Sequence, residues 1–436
     1  MSAVNPSLHL LQQQAASLLL YRDVVAQPIA QQFLQLLTTL QGGNATQSLQ
    51  AYGQWFAAIA ATGKSWPALI TAAILRSDNP FSQAAQRHPF PAINPTLSAA
   101  ARHDLHALQQ LAHCDPAQLA HWVRAVCKLP QSPVIWTGDD GKTLLSDWHY
   151  WPDAIAPLAQ HYQQQGVGKW GQYRAFRWQG GALHGIANPD PVQLPQLVGY
   201  DDQKAQLISN TEYLLQGLPA LHVLLYGSRG SGKSSLIKGL LTAYGDRGLR
   251  LIEVAKAELH NLPAILDPLR NLPQKFIIFV DDLSFEEDDE AFKSLKVVLE
   301  GSVTARPANV VVYATSNRRH LIREFFEDRP RPMEREEVHS WDTVQEKLSF
   351  SDRFGLTLTF GPADQDLYLA IVRHLAQAAG LDIPPDDLDF RARQWATRHN
   401  GRSGRTARQF IDHLRAERGH NPRSIGAERR GIDWLN

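Results

Sequence analysis

Gly227, Ser228, Arg229, Gly230, Ser231, Gly232, Lys233 and Ser234 follow one another at the spacing G-x-x-x-x-G-K-[ST], the pattern of a loop that cradles phosphate. Glycines let consecutive backbone N–H groups turn inward around phosphate oxygens. A helix opening at the end of the loop adds roughly half a positive charge. Lys233 would reach the β and γ phosphates of a nucleoside triphosphate, and the Ser234 hydroxyl would hold Mg2+. The chemistry also needs a strand before the loop and a helix after it. His222-Val-Leu-Leu-Tyr226 reads as that strand, and Ser235 onward carries apolar residues at helical spacing.

A second set of residues suits the same chemistry. Phe276–Val280 is an apolar run that ends in Asp281 and Asp282. Asp281 is placed to hold a water of the Mg2+ shell, and Asp282 to polarise an attacking water. Glu286 and Glu287 follow closely as rivals for that second role. Val310–Ala314 is another apolar run, closed by Asn317. An asparagine there either orients the lytic water or caps the turn, and both readings stand.

The elements that must position these groups alternate. Strands are expected at Leu224–Tyr226, Leu251–Val254, Phe276–Val280, Val310–Ala314 and Leu356–Phe360, with helical patterns between the first four. Such alternation implies an α/β fold with a parallel sheet covered on both faces. Three helical patterns follow, Asp364–Ala379, Asp386–His399 and Thr406–Arg418, which read as a small helical lid. The expected organisation is a helical N-terminal domain over 1–130 and a small mixed α/β segment with hairpins over 131–190. A nucleotide-binding α/β domain follows over 195–361, then a lid over 362–420 and a tail over 421–436. The hairpins in question are a turn at Thr137–Gly141 between short strands and a second pair around Gln179-Gly-Gly181.

The 436 residues suffice for two or three cores, and formal net charge is zero. The N-terminus lacks a basic leader, no apolar run approaches a membrane span, and Cys114 and Cys127 are too few for a disulfide framework. A cytoplasmic protein without a membrane partner is expected. Charge is unevenly spread. Residues 1–100 carry only Arg22, Asp23, Lys64, Arg76, Asp78 and Arg87, whereas residues 391–430 carry eleven arginines against Asp412, Glu417 and Glu428. The first stretch suits a protein client. The second suits either phosphate contacts with nucleic acid or an arginine-rich lid. Eight of the eleven tryptophans lie before residue 180, and a packed aromatic core is the preferred reading over a base-stacking platform. Residues Phe325–Trp341 read as an exposed, mixed-charge insertion. The histidines near His103 and His106 lack a complete ligand pattern for zinc.

On these motifs the chain resembles the AAA+ ATPases. Gly227–Ser234 looks like their Walker A loop, Phe276–Asp282 their Walker B strand and Ala314–Asn317 their sensor 1. Leu197-Val198-Gly199-Tyr-Asp201 is similar to the segment that packs near adenine. Ser351-Asp-Arg353-Phe-Gly355 resembles the arginine-finger segment, and Gly401–Arg408 the lid's sensor 2, with Arg405 in that role. Asp281-Asp-Leu-Ser-Phe-Glu-Glu287 and Ala314–Leu321 look like a bacterial branch of predicted ATPases called domain of unknown function 815. The likeness covers roughly residues 170–415. It implies an AAA+ P-loop NTPase core with ATP and Mg2+ as cofactors. Val198, Gly199 and Gly227–Ser235 would hold the nucleotide, and a homo-oligomer would let Arg353 act on a neighbour's nucleotide. Arg318 and Arg319 are rival fingers.

Two departures matter. Asp282 stands where many remodellers have glutamate, and the loop Ala255–Asn261 lacks the aromatic pore residue of threading unfoldases. The expected function is an ATPase that remodels or loads a protein or nucleic-acid client. A nucleotide-gated scaffold with negligible turnover and a helicase-loader-like ATPase are the alternatives.

Overall fold

The computed structural model describes residues 6–284, 294–296, 298–299, 307–317, 353–399 and 401–419. Glu286, Glu287, Arg318, Arg319, Asp352, the Phe325–Trp341 stretch and the 421–436 tail lie outside the described residues. Two compact units emerge. One runs up to Tyr173 and takes in Asn271–Gln274; the other holds Arg174–Arg270 and the described residues from Lys275 on.

The N-terminal unit is helical because its polar residues sit where helices start. Asn79-Pro80, Asn94-Pro95 and Asp115-Pro116 each open a helix, with the Asn or Asp side chain accepting a backbone N–H of the first turn. Gly43 (φ 71°) closes Pro28–Gly42, and Asn44 caps Ala45–Ala60. The apolar faces meet around Phe33, Trp55 and Trp66, with ring centroids 4.6 Å apart for Phe33 and Trp66. The tryptophans of this region are thus chiefly core, as composition suggested. Asp104 is fully buried, yet its carboxylate accepts the backbone N–H groups of Leu19, Leu20 and Tyr21. Those bonds compensate a charge that burial would otherwise penalise.

The strands expected around Thr137–Gly141 are not formed. That segment makes one isolated bridge, Lys64 to Asp139, in which Asp139 N–H donates to Gly63 O and Ser65 N–H to Asp139 O. Its backbone finds its partners in a helix-connecting loop, so no second strand is needed.

The second unit is built on a seven-stranded sheet. Its strands are β1 Ala175–Gln179, β2 Ala182–Ile186, β3 Val223–Gly227, β4 Leu249–Glu253, β5 Lys275–Val280, β6 Val310–Ser316 and β7 Leu356–Phe360. The order is β2-β1-β4-β5-β6-β3-β7, parallel throughout except for β1 with β2. The hairpin placed by sequence in a separate accessory segment therefore belongs to the main sheet. β1 pairs with β4, Ala175 against Leu251, because an isolated hairpin cannot bury Phe176 and Trp178 on one face and Ala175 on the other. β5 and β6 are buried almost end to end, as strands covered on both faces must be.

Helices Gln365–Ala378, Pro385–Arg398 and Gly404–Gly419 form the lid around Tyr368, Val372, Ala392 and Phe410. This is the α/β core with a helical lid that the AAA+ resemblance implies. Among the described residues no helix is long and apolar enough to cross a membrane. β3 lies between β6 and β7, while the chain leaves it for β4 on the far side of β5. That reversal opens a crevice at the carboxyl ends of the strands, the place where such sheets bind ligands.

Candidate nucleotide site

Gly227 ends β3 with φ 136°, and a Cβ there would stand 1.9 Å from the Phe360 carbonyl oxygen. Glycine is required on both counts. The chain then turns through Gly230 (φ 73°) and Gly232 (φ 90°) into the helix Lys233–Tyr244. Lys233, only 6% exposed, folds its ammonium back to donate to Gly227 O at 2.9 Å and Ser228 O at 2.8 Å. A longer contact of 3.3 Å reaches Asn317 Oδ1. Burial holds the Lys233 amine below its ordinary pKa, with Asp281 and then Asp282 opposing the shift.

The acidic corner is assembled from two neighbouring strand ends. Ser234 Oγ donates to Asp281 Oδ1 at 2.6 Å. The Thr315 hydroxyl donates to the same oxygen and accepts Asp282 N–H at 2.9 Å. Asp282 holds a left-handed backbone, φ 52°, which costs a residue with a Cβ about 1–3 kcal/mol unless its surroundings enforce it. They do. Leu283 N–H donates to Thr315 O at 2.7 Å, and Asn317 Nδ2 donates to Asp282 Oδ1 at 2.6 Å.

The cleft above these groups encloses about 610 Å³. On one side Val198 and Gly199 face Ile371 and Leu375 of the first lid helix, an apolar slot suited to a planar base. Gly199 has φ 82°, and a Cβ on it would meet Leu367 Cδ1 at 2.4 Å, so the lid packs directly against glycine. Tyr200 donates its hydroxyl to Gly361 O at 2.6 Å. On the other side Arg405 and Arg408 reach in from the third lid helix, and Gly404 N–H donates to Gly230 O at 2.9 Å.

The donor set fits Mg-ATP. Inward-turning glycines, a buried ammonium and a helix start suit phosphates, and a hydroxyl 2.6 Å from a carboxylate suits a hard divalent cation. Of the residues named from sequence, Val198, Gly199, Arg229–Ser235, Asp281, Asp282, Asn317 and Arg405 line this one cleft. Gly227 and Ser228 do not line it and act through the carbonyls that hold Lys233. Arg353 stands apart. It precedes β7, whose other end, Phe360, touches the phosphate loop, so roughly 16 Å of strand separates the two.

Sequence reading missed four contributors. Thr315 lay unremarked, although the hydroxyls of Thr315 and Ser316 closing an otherwise apolar strand were a usable signal. Arg408 is one helical turn beyond Arg405 and so shares its face. Ile371 and Leu375 carried no signal, since which lid face meets the base depends on tertiary packing.

Among solved structures the chain is similar to the Thermotoga maritima RuvB Holliday junction branch migration motor, at 14% identity and a TM-score of 0.30 over 51% of this chain and 72% of that one. A single-residue variant of the same protein gives 15% identity and a TM-score of 0.33 over 52% and 73%. The comparison with curated proteins gives no match. The profile of one family spans residues 171–418, from just before the first strand of the sheet to the end of the lid, and the chain belongs to that family, described as protein of unknown function DUF815.

Proposed function

We propose that this protein binds ATP with Mg2+ and hydrolyses it, and that a homo-oligomer couples turnover to remodelling or loading a macromolecular client. One observation carries the reading: Lys233 and Ser234 after β3, Asp281 and Asp282 after β5, and Asn317 after β6 converge on a single cleft. Ser234 and Asp281 would hold the metal, which supplies neutralising charge to the β and γ phosphate oxygens. Lys233 exchanges its carbonyl contacts for phosphate oxygens. Asp282 takes a proton from water as the water oxygen bonds to the γ phosphorus and the bond to the β–γ bridging oxygen breaks, releasing ADP. Asn317 positions Asp282, and Arg405 places a fixed charge beside the transferred group. Arg353, remote from its own cleft, serves the nucleotide of a neighbouring subunit. The sparsely charged N-terminal helices would grip a protein client in a cytoplasmic setting.

Calorimetric titration with Mg-ATP tests the pocket. Wild type should bind, Lys233→Ala should not, and Asp282→Asn should bind without releasing phosphate. If wild type retains no ATP at millimolar concentration, the reading fails.

The 2.6 Å bond from Asn317 to Asp282 favours a second reading, a nucleotide-gated switch that turns over slowly, because the acid is already engaged. Phosphate release in a single turnover separates the two, since a switch would show equal, negligible rates in wild type and Asp282→Asn.

A further inference from the structure

The second and third lid helices carry a column of three rings that the nucleotide cleft does not use. Trp395 lies between His399 and His413, with centroids at 4.2 Å and 4.8 Å and planes within 22° and 29° of parallel. Both imidazoles are exposed. Neither ring is loose. His399 Nδ1 donates to Trp395 O at 2.9 Å, and His413 Nε2 lies 3.0 Å from Glu417, which Arg391 also holds at 2.6 Å. The outer face of His399 is therefore a fixed aromatic surface open to solvent.

Arg398 and Arg402 flank His399 in the chain and are exposed, and among the described residues neither makes an ion pair. Arg398 also falls on the stripe of Trp395 and Arg391, spaced by four and three residues. Neither Arg398 nor Arg402 lines the nucleotide cleft, where Arg405 and Arg408 are engaged. An exposed ring with exposed arginines one residue before it and three residues after it matches an unpaired nucleobase joined to its phosphodiesters. A duplex offers phosphates but no free base face, and so satisfies only half of the arrangement.

We infer that this lid face binds single-stranded nucleic acid, one base stacking on His399 while Arg398 and Arg402 contact the adjoining phosphates. The inference rests on the proposed ATPase only in naming its client, and its test needs no ATP.

The test is fluorescence anisotropy of fluorescein-labelled dT30, rU30 and a 30-bp duplex with the full-length, nucleotide-free protein between 50 and 300 mM NaCl. Single strands should bind more tightly than duplex. The two homopolymers distinguish DNA from RNA as the partner. Each phosphate contact contributes about 0.7 to the slope of log affinity against log salt, so Arg398→Ala/Arg402→Ala should lower that slope by about 1.4. His399→Ala should weaken binding about tenfold at fixed salt, and His399→Tyr should restore it, which a merely structural histidine would not do. Lys233→Ala should bind dT30 as wild type does, so loss of its ATP binding bears on the pocket alone. Equal affinities of wild type, His399→Ala and the double arginine variant would overturn the inference, as would duplex binding as tight as dT30 or no dT30 binding at 50 mM NaCl.

Discussion

Asn317 holds Asp282. Its amide donates to the carboxylate at 2.6 Å while its carbonyl oxygen stands 3.3 Å from the Lys233 ammonium, so one side chain joins the acid that ends β5 to the lysine that follows β3. Replacing it with alanine should leave ATP affinity within a few-fold but release the strained Asp282. Turnover should fall about a hundredfold, the scale for losing one pre-positioned polar group in an active site. Steady-state phosphate release set against ATP titration checks this; an unchanged kcat would remove Asn317 from the machinery.

Lys233 should give the stability a pH dependence. Burial lowers its folded pKa below the unfolded value of 10.5. Between the two values the unfolded chain binds more protons, so this residue's contribution to stability rises with pH through that window, from a penalty at lower pH. Denaturation at pH 7.5 and pH 10 should show wild type gaining stability relative to Lys233→Met as pH rises. Parallel curves for the two proteins would count against the buried ammonium.

Thr315 makes two hydrogen bonds with one hydroxyl, to Asp281 and from Asp282 N–H. Thr315→Val keeps the shape and deletes both, leaving the Asp282 N–H unpaired at a cost of about 1–3 kcal/mol. The loss should appear in urea denaturation. The Mg2+ requirement should also rise, because Asp281 loses the partner that orients it.

Two glycines next to the same strand end should behave oppositely. A Cβ at Gly227 would strike the Phe360 backbone at 1.9 Å, whereas nothing lies within 4 Å of one at Gly361. Gly227→Ala should cost more than about 3 kcal/mol and abolish nucleotide binding, because backbone cannot step aside. Gly361→Ala should be neutral within about 0.5 kcal/mol. Thermal melts with and without Mg-ATP compare them.

Arg353→Ala should keep ATP binding and lose about a thousandfold in hydrolysis if the residue completes a neighbour's site. Mixing it with Asp282→Asn should restore part of the activity, since a mixed interface can pair an intact Arg353 with an intact Asp282. Activity that stays absent on mixing would assign Arg353 a role within its own subunit.

Much of this protein was legible locally. The five core strands and three lid helices lie within about two residues of where apolar periodicity put them, because burial on a sheet or a helix face imposes that period on the sequence. The phosphate loop was legible for another reason: positive φ and close backbone approach admit only glycine, and such demands are written as residue type.

What tertiary structure alone decided are the relations between distant segments. β1 joins β4 across more than seventy residues, which no local pattern reports, and so the hairpin was misplaced. Thr315 became a bridge only when β6 was laid beside β5, and Gly199 a contact only when Leu367 was folded onto it. Periodicity states which face of an element is buried. What it is buried against is settled by packing, and the chemistry of this cleft depends on that second fact.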